Sequence, residues 1–341
     1  MSVARATPTR PCRRRSRKRP WTWRVVRSTS ERVLRGLLAA VLLAAASAAP
    51  PVRAAEDGGP LLWRIERPGR PPAWLFGTVH LPVAVVGTPP RAVRAALDES
   101  AVVLTEIPLD GASQADLLMR AVQPPGRSLA DDLPPELWSR VETTLAARGL
   151  PAAAFARFRP WALLGQLATL EWIDEAARSP ALDQWIWNRA TAAGREVAGL
   201  ETVAEQVAAF EGFDTAEQAE LVRLALDQLE APADGPSPGR RLVAAYRAGR
   251  LDALLALFEA EVDLATPLGR KFRDRLLDRR NARMDSRIAA WLERSERGIF
   301  VAVGAMHLAG DGGLIARLGR RGYRVVREAA TAAAAPAPAG R

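Results

Sequence analysis

The chain has 341 residues, 48% of them hydrophobic and 25% charged, which is enough apolar material for one large domain or two small ones. Its formal charge of +10 is uneven: residues 1–54 hold thirteen of the 48 basic side chains and one of the 38 acidic ones, leaving 35 basic against 37 acidic in the remainder. A near-neutral remainder excludes the basic footprint of a nucleic-acid binder, and a single cysteine, Cys12, excludes thiol catalysis, zinc–thiolate sites and disulfides beyond residue 54.

In chain order, residues 1–54 read as an address. Basic residues run to Arg35, an uncharged apolar stretch of 13 residues (37–49) follows, and small residues around Arg53 close it. That is the layout of a secretory signal, and it is shorter than the about 20 residues that span a bilayer. Arg13-Arg14-Arg15 lies too far upstream of the apolar run for a twin-arginine signal. The expected location is the periplasm or the cell exterior, with membrane contact only through this segment if it stays uncleaved. A thiol-free domain suits an oxidising compartment.

Residues 55–327 form the expected domain. Residues 61–66 alternate apolar and polar and read as a strand; 73–76 is a second, ended by Gly77. Pro89-Pro90 opens a helix to Leu97, and 101–104 is short, β-branched and apolar, as in a buried strand. A helical block follows, about 111–297. Its expected helices are 135–145, 161–177, 182–193, 203–210, 215–229, 251–262 and 272–294, with a short strand at 197–200 and a Pro/Gly linker at 231–239. Residues 298–304 and 322–326 are strands again, flanking a short helix at 314–318. Residues 328–341 are a low-complexity Ala/Pro tail expected to be disordered. Strands at both ends around a helical insertion predict a mixed α/β fold with one sheet built from both termini.

The two histidines of the chain stand in matching contexts, Gly77-Thr78-Val79-His80 and Gly304-Ala305-Met306-His307, each directly after an apolar strand. Glycine there lets the chain leave the strand through an unusual φ/ψ. The imidazoles would then project beyond the C-terminal edge of the sheet, where open α/β sheets bind ligands. Neutral imidazole suits metal ligation or acid–base work near neutral pH. Glu106 follows the strand at 101–104 in the same way and is a candidate metal ligand or general base; a solvated loop acid is its alternative. Glu201 follows the strand at 197–200, either as a site acid or as an acid favoured by the next helix start. Arg280 lies among Arg275, Arg279 and Arg283 with Asp274 and Asp278 interleaved, which by itself reads as a solvated helix face. Trp161, Trp172, Trp185 and Trp187 read as packing. Gly310-Asp311-Gly312-Gly313 reads as a turn capping the next helix, with anion binding the alternative.

The segments LFGTVH (75–80), VVLTE (102–106), GLETVAEQ (199–206), LLDRRNARM (276–284), VAVGAMHLAGDGGL (301–314) and GYRV (322–325) resemble the TraB/PrgY/GumN family, whose animal members are the Tiki proteins. The resemblance spans residues 61–327. It implies a fold akin to the Tiki and erythromycin-esterase-like group, and one site lined by His80, Glu106, His307 and Arg280, with Asn281 beside it. It implies a metal-dependent protease using Mn2+ or Co2+, with Zn2+ an ion the same donors accept. Arg280 would hold a substrate carbonyl or carboxylate, or stabilise the oxyanion of a tetrahedral intermediate. The expected function is a metal-dependent, peptidase-like hydrolase acting on a peptide or small molecule. The alternatives are a non-catalytic peptide-sequestering protein and a metal-free hydrolase of the erythromycin-esterase kind.

Overall fold

The computed structural model describes residues 59–231 and 235–329. The leader at 1–54, residues 330–341 of the tail and residues 232–234 of the Pro/Gly segment lie outside the described residues.

Six strands form one sheet: β1 (Leu62–Ile65), β2 (Ala73–Thr78), β3 (Val102–Thr105), β4 (Glu196–Gly199), β5 (Ile299–Gly304) and β6 (Val325–Arg327), in the order β4-β3-β5-β2-β1-β6. The four strands β4, β3, β5 and β2 are mutually parallel, while β1 runs antiparallel to β2 and β6 antiparallel to β1. Both chain ends thus build the sheet, and the helical block contributes the edge strand β4. The mixed α/β architecture agrees with the sequence pattern.

Every residue of β3 and β5 is buried, which is why both read as unbroken apolar runs: a parallel strand is covered on both faces. Leu75, Leu104, Val301 and Val303 enter one core, which also takes Met284 and Ile288 of the helix Arg279–Arg294. Phe76, Val103, Phe300 and Ala302 enter the other, against Val93 and Leu97 of Arg91–Glu99 and Ile186 of Leu182–Ala192. A third core belongs to the helical block, where Leu163 of Pro160–Thr169, Val207 of Val203–Glu211 and Leu226 of Thr215–Glu230 meet Phe155.

The helices depart from expectation at several places: the helical block opens with a helix, Gly111–Ala121, that is not among the expected ones, and three other segments differ in extent. The expected helix 161–177 breaks at the 3₁₀ turn Leu170–Trp172. The Thr169 hydroxyl donates back to the carbonyls of Gly165 and Gln166 just before the break, a bond that bends helices. The expected linker 231–239 ends in the start of a helix, Pro238–Arg247, in which Ser237 caps the Arg240 N–H and Pro238 occupies the first turn. Proline there starts an element; it does not only separate two. Third, the helix expected at 272–294 begins at Pro267 and passes through a π turn, Asp274–Asp278, before Arg279–Arg294. That turn sends Leu276 into the core of the helical block and Leu277 into the core beside the sheet. No helix among the described residues is long and apolar enough to cross a membrane.

Candidate active site

The parallel strands deliver their following residues to one edge. His80 comes after β2, Glu106 after β3, Glu201 after β4 and His307 after β5. The register pairs Thr78 with Gly304, so the two glycine–histidine turns start side by side.

The turns do not use glycine as expected. Gly304 has φ −52° and ψ 135°, ordinary values, and neither Gly77 nor Gly304 is among the positive-φ glycines. The reason is close approach. A Cβ on Gly304 would lie 3.1 Å from Glu106 Oε1, 3.4 Å from His80 Nε2 and 3.7 Å from the His307 ring. One on Gly77 would lie 2.9 Å from Leu308 and 3.3 Å from the Ala305 Cα. The missing side chains are what let three functional groups converge over the end of β5.

Glu106 is buried at the centre. Its Oε1 accepts the Gly304 N–H at 2.7 Å and faces His80 Nε2 at 3.6 Å and His307 Nε2 at 3.8 Å. Its Oε2 accepts from Arg280 Nη2 at 2.5 Å and Gln206 Nε2 at 3.2 Å. Burial pushes the Glu106 carboxyl up, but Arg280, the two imidazoles and the Gly304 N–H outweigh it and hold the group well below the usual carboxylate range.

Each imidazole is held through Nδ1. His80 Nδ1 meets Asp183 Oδ2 at 2.9 Å, and Asp183 is fixed in turn by the Thr78 hydroxyl donating to Oδ1 at 2.6 Å. His307 Nδ1 meets Asn281 Oδ1 at 2.7 Å, and the Asn281 amide donates to the Gly312 carbonyl at 3.1 Å. The Gly310–Gly313 loop therefore serves as a brace for Asn281. Burial opposes charge on His80, yet Asp183 and Glu106 together raise its pKa to about 9. Burial dominates at His307, with Arg280 adding to it, and lowers its pKa to about 3. One imidazole is charged at neutral pH and the other is not.

Arg280 is buried, not solvated. Its Nε donates to Glu201 Oε2 at 2.8 Å, and Glu201 Oε1 accepts from Arg283 at 2.5 Å. The neighbouring Arg279 does sit on a solvated face, paired with Asp274. The Glu201 side chain is fully buried and does not line the cleft; it holds Arg280. Charge alternates along the sheet edge in a chain: Asp183, His80, Glu106, Arg280, Glu201, Arg283.

Asp183, His80, Glu106, Arg280 and His307 form the polar end of a cleft of about 80 Å³, whose other walls are mostly apolar, Trp161 and Phe210 among them. His80, Glu106, His307 and Arg280, singled out by sequence, come together at this end. Asp183, Thr78 and Gln206 were not singled out. Asp183 lies in the first turn of a helix far along the chain, beside the polar Gln184, and has no sequence signal of its own.

Among the described residues, no group of three or more His, Cys, Asp or Glu side chains is arranged to hold a metal ion as it stands. The donor chemistry of His80, His307 and Glu106 nevertheless fits a divalent cation. Two Nε2 atoms and one carboxylate oxygen face one another, and each ring is oriented through its other nitrogen, as ligating histidines usually are.

A sequence model of the TraB/PrgY/gumN family matches residues 61–327. Among curated proteins, the chain is 28% identical over 314 residues to "Metalloprotease TIKI1" of Danio rerio, covering 79% of this chain and 63% of that protein. It is 26% identical to "Metalloprotease TIKI2" of Danio rerio and to "Metalloprotease TIKI1" of Homo sapiens, covering 61% of each. The chain thus spans about three-fifths of the length of these relatives. No solved structure shows a significant match.

Proposed function

The chain belongs to the TraB/PrgY/gumN family, and on that premise we propose that it is a metal-dependent hydrolase of peptide bonds, acting in the cell envelope or outside the cell. The observation that carries this reading is the convergence of His80 Nε2 and His307 Nε2 on Glu106 Oε1, at 3.6 and 3.8 Å, at the end of a cleft. The name of the relatives, metalloprotease, supports the reaction class. The basic leader with its apolar run of 13 residues supports export.

His80, His307 and Glu106 would hold the cation, and Mn2+, Co2+ and Zn2+ all suit an imidazole–carboxylate set. Bound there, the ion would polarise the scissile carbonyl and lower the pKa of water. The residues do the rest. Asp183 and Asn281 accept the Nδ1–H of each ring, which leaves Nε2 as the ligating atom. His80 must give up its second proton first, so cation uptake releases a proton. Glu106, ionised, supplies an oxygen that can ligate or take a proton from attacking water. Arg280 lines the cleft and would hold a substrate carbonyl and stabilise the oxyanion that forms from it. Glu201 and Arg283 are positioning residues that fix Arg280.

A second reading has one observation in its favour. His80 at about 9 and His307 at about 3 are an acid and a base set apart by their surroundings, facing one carboxylate. That arrangement suits metal-free hydrolysis.

The test is metal analysis and peptide hydrolysis by the wild type, His80→Ala and His307→Ala. The proposal expects about one bound divalent ion in the wild type, loss of it in both variants, and a rate loss of at least about 10³-fold. Equal metal uptake by all three proteins overturns it. Turnover that survives exhaustive chelation selects the metal-free reading, and saturable peptide binding without turnover selects a sequestering protein.

A further inference from the structure

The apolar end of the cleft carries an inference about the substrate, which rests on the reading of the polar end as a peptide-hydrolysing centre. Ile107, Leu109, Leu117, Trp161, Phe210 and Leu276 enclose this end, with the Trp161 indole stacked on the Phe210 ring at 5.7 Å. Ala162 and Gly165, on the same helix as Trp161, also face the cleft, and their small size keeps it open. Every ionisable side chain lining the cleft belongs to the polar end: His80, Glu106, Asp183, Arg280 and His307.

We infer that this end is a pocket for one bulky apolar side chain of the substrate, so that the chain cuts peptides beside a Leu, Met or Phe residue. The space is continuous with the reacting groups, so whatever fills it belongs to the residue next to the scissile bond. The whole cleft, polar end included, measures about 80 Å³, a small space that favours one side chain over a long acyl chain. A charged side chain entering it would be desolvated with no partner on the apolar walls.

The expected discrimination is large. Each methylene lost from a hydrophobic pocket reduces kcat/KM by about 10-fold or more, so replacing Leu by Ala in the substrate, a loss of three carbons, should cost about 1000-fold. The experiment uses the full chain and internally quenched octapeptides in which Leu, Phe, Ala or Asp is walked through each position. Turnover is read as kcat/KM, and binding of the same peptides is read separately by fluorescence anisotropy. Ala162→Leu fills the pocket and should abolish the preference for Leu and Phe over Ala. Leu117→Ala enlarges it and should move the preference toward Phe by about 10-fold. Met119→Ala, on the same helix as Leu117 but 72% exposed, should change nothing.

Hydrolysis that is indifferent to the side chain at every position overturns the pocket while leaving the hydrolase reading intact. Absence of hydrolysis together with Leu-selective binding that Leu117→Ala alters supports the pocket and rejects the hydrolase. Neither selective cutting nor selective binding rejects both. If Ala162→Leu does not fold, the Leu117→Ala shift decides.

Discussion

The two glycine–histidine turns share a sequence pattern and a position at neighbouring strand ends, yet their imidazoles differ in charge. Part of the difference is exposure, 22% for the His80 side chain against 3% for His307. The rest is the acceptor at Nδ1. Asp183 brings a full negative charge to His80, whereas Asn281 brings a dipole to His307. The turn delivers the ring to the site, and a residue from another element decides its protonation. A strand–Gly–x–x–His pattern therefore predicts location well and chemistry poorly.

Removing the partner that both rings share should have the largest effect. Glu106→Ala takes a carboxylate from between His80, His307 and Arg280 and leaves buried positive charge beside it. Breaking a buried pair on one side typically costs about 3–5 kcal/mol. Chemical denaturation at pH 7 should show a loss of this order, and catalysis should disappear. A loss below about 1 kcal/mol would mean that Glu201 alone holds Arg280.

Next in size is exchanging the acceptors. Asp183→Asn should lower the His80 pKa from about 9 toward its ordinary value, leaving His307 where it is. Asn281→Asp should raise the His307 pKa from about 3 toward that of its counterpart. With two histidines in the chain, NMR titration of the metal-free protein resolves both rings. Should neither exchange move its own histidine, burial and not the acceptor separates the two turns.

Stability should follow pH through the same groups. His80 has a folded pKa above its ordinary 6.5, so its contribution is complete below pH 6.5 and disappears as pH rises through about 9. The full change is roughly 3 kcal/mol. His307 acts in the opposite window. Its folded pKa lies below 6.5, so stability falls as pH drops from 6.5 toward 3, because the unfolded chain takes up the proton and the folded one does not. Denaturation of the metal-free protein between pH 5 and 10 checks the first window. Asp183→Asn should flatten it.

Much of the sheet was legible because parallel strands buried on both faces are written as continuous apolar runs, as in β3 and β5. The residues at their ends were legible for the same reason: a polar group directly after such a run must lie at the sheet edge. What escaped detection was brought in by packing. Asp183 reaches His80 because its helix lies against the Phe76 and Phe300 face of the sheet, a fact of tertiary contact with no local signature. Arg280 is marked only by the family resemblance; by pattern it looks like its solvated neighbours, since the interleaved charges of residues 274–283 do not reveal which face turns inward. The glycines were visible but their role was not. A close approach to Glu106 Oε1 and a strained turn both call for glycine, and only coordinates tell them apart.

That last distinction yields the smallest predicted effect and the sharpest contrast between the turns. A φ of −52° accepts alanine at position 304 without backbone strain, so Gly304→Ala should cost little stability, about 1 kcal/mol or less. Its Cβ, however, would press on Glu106 Oε1 and His80 Nε2 at 3.1 and 3.4 Å, where the cation would sit. Metal affinity and turnover should fall by about 10-fold or more while the melting temperature barely moves. Gly77→Ala should do the reverse. Its Cβ would strike Leu308 and the Ala305 backbone, which are core and not site, so stability should fall first, with turnover per folded molecule preserved. If both variants lose stability and activity in equal proportion, the two glycines do the same job, and the difference between the turns lies entirely in what their histidines touch.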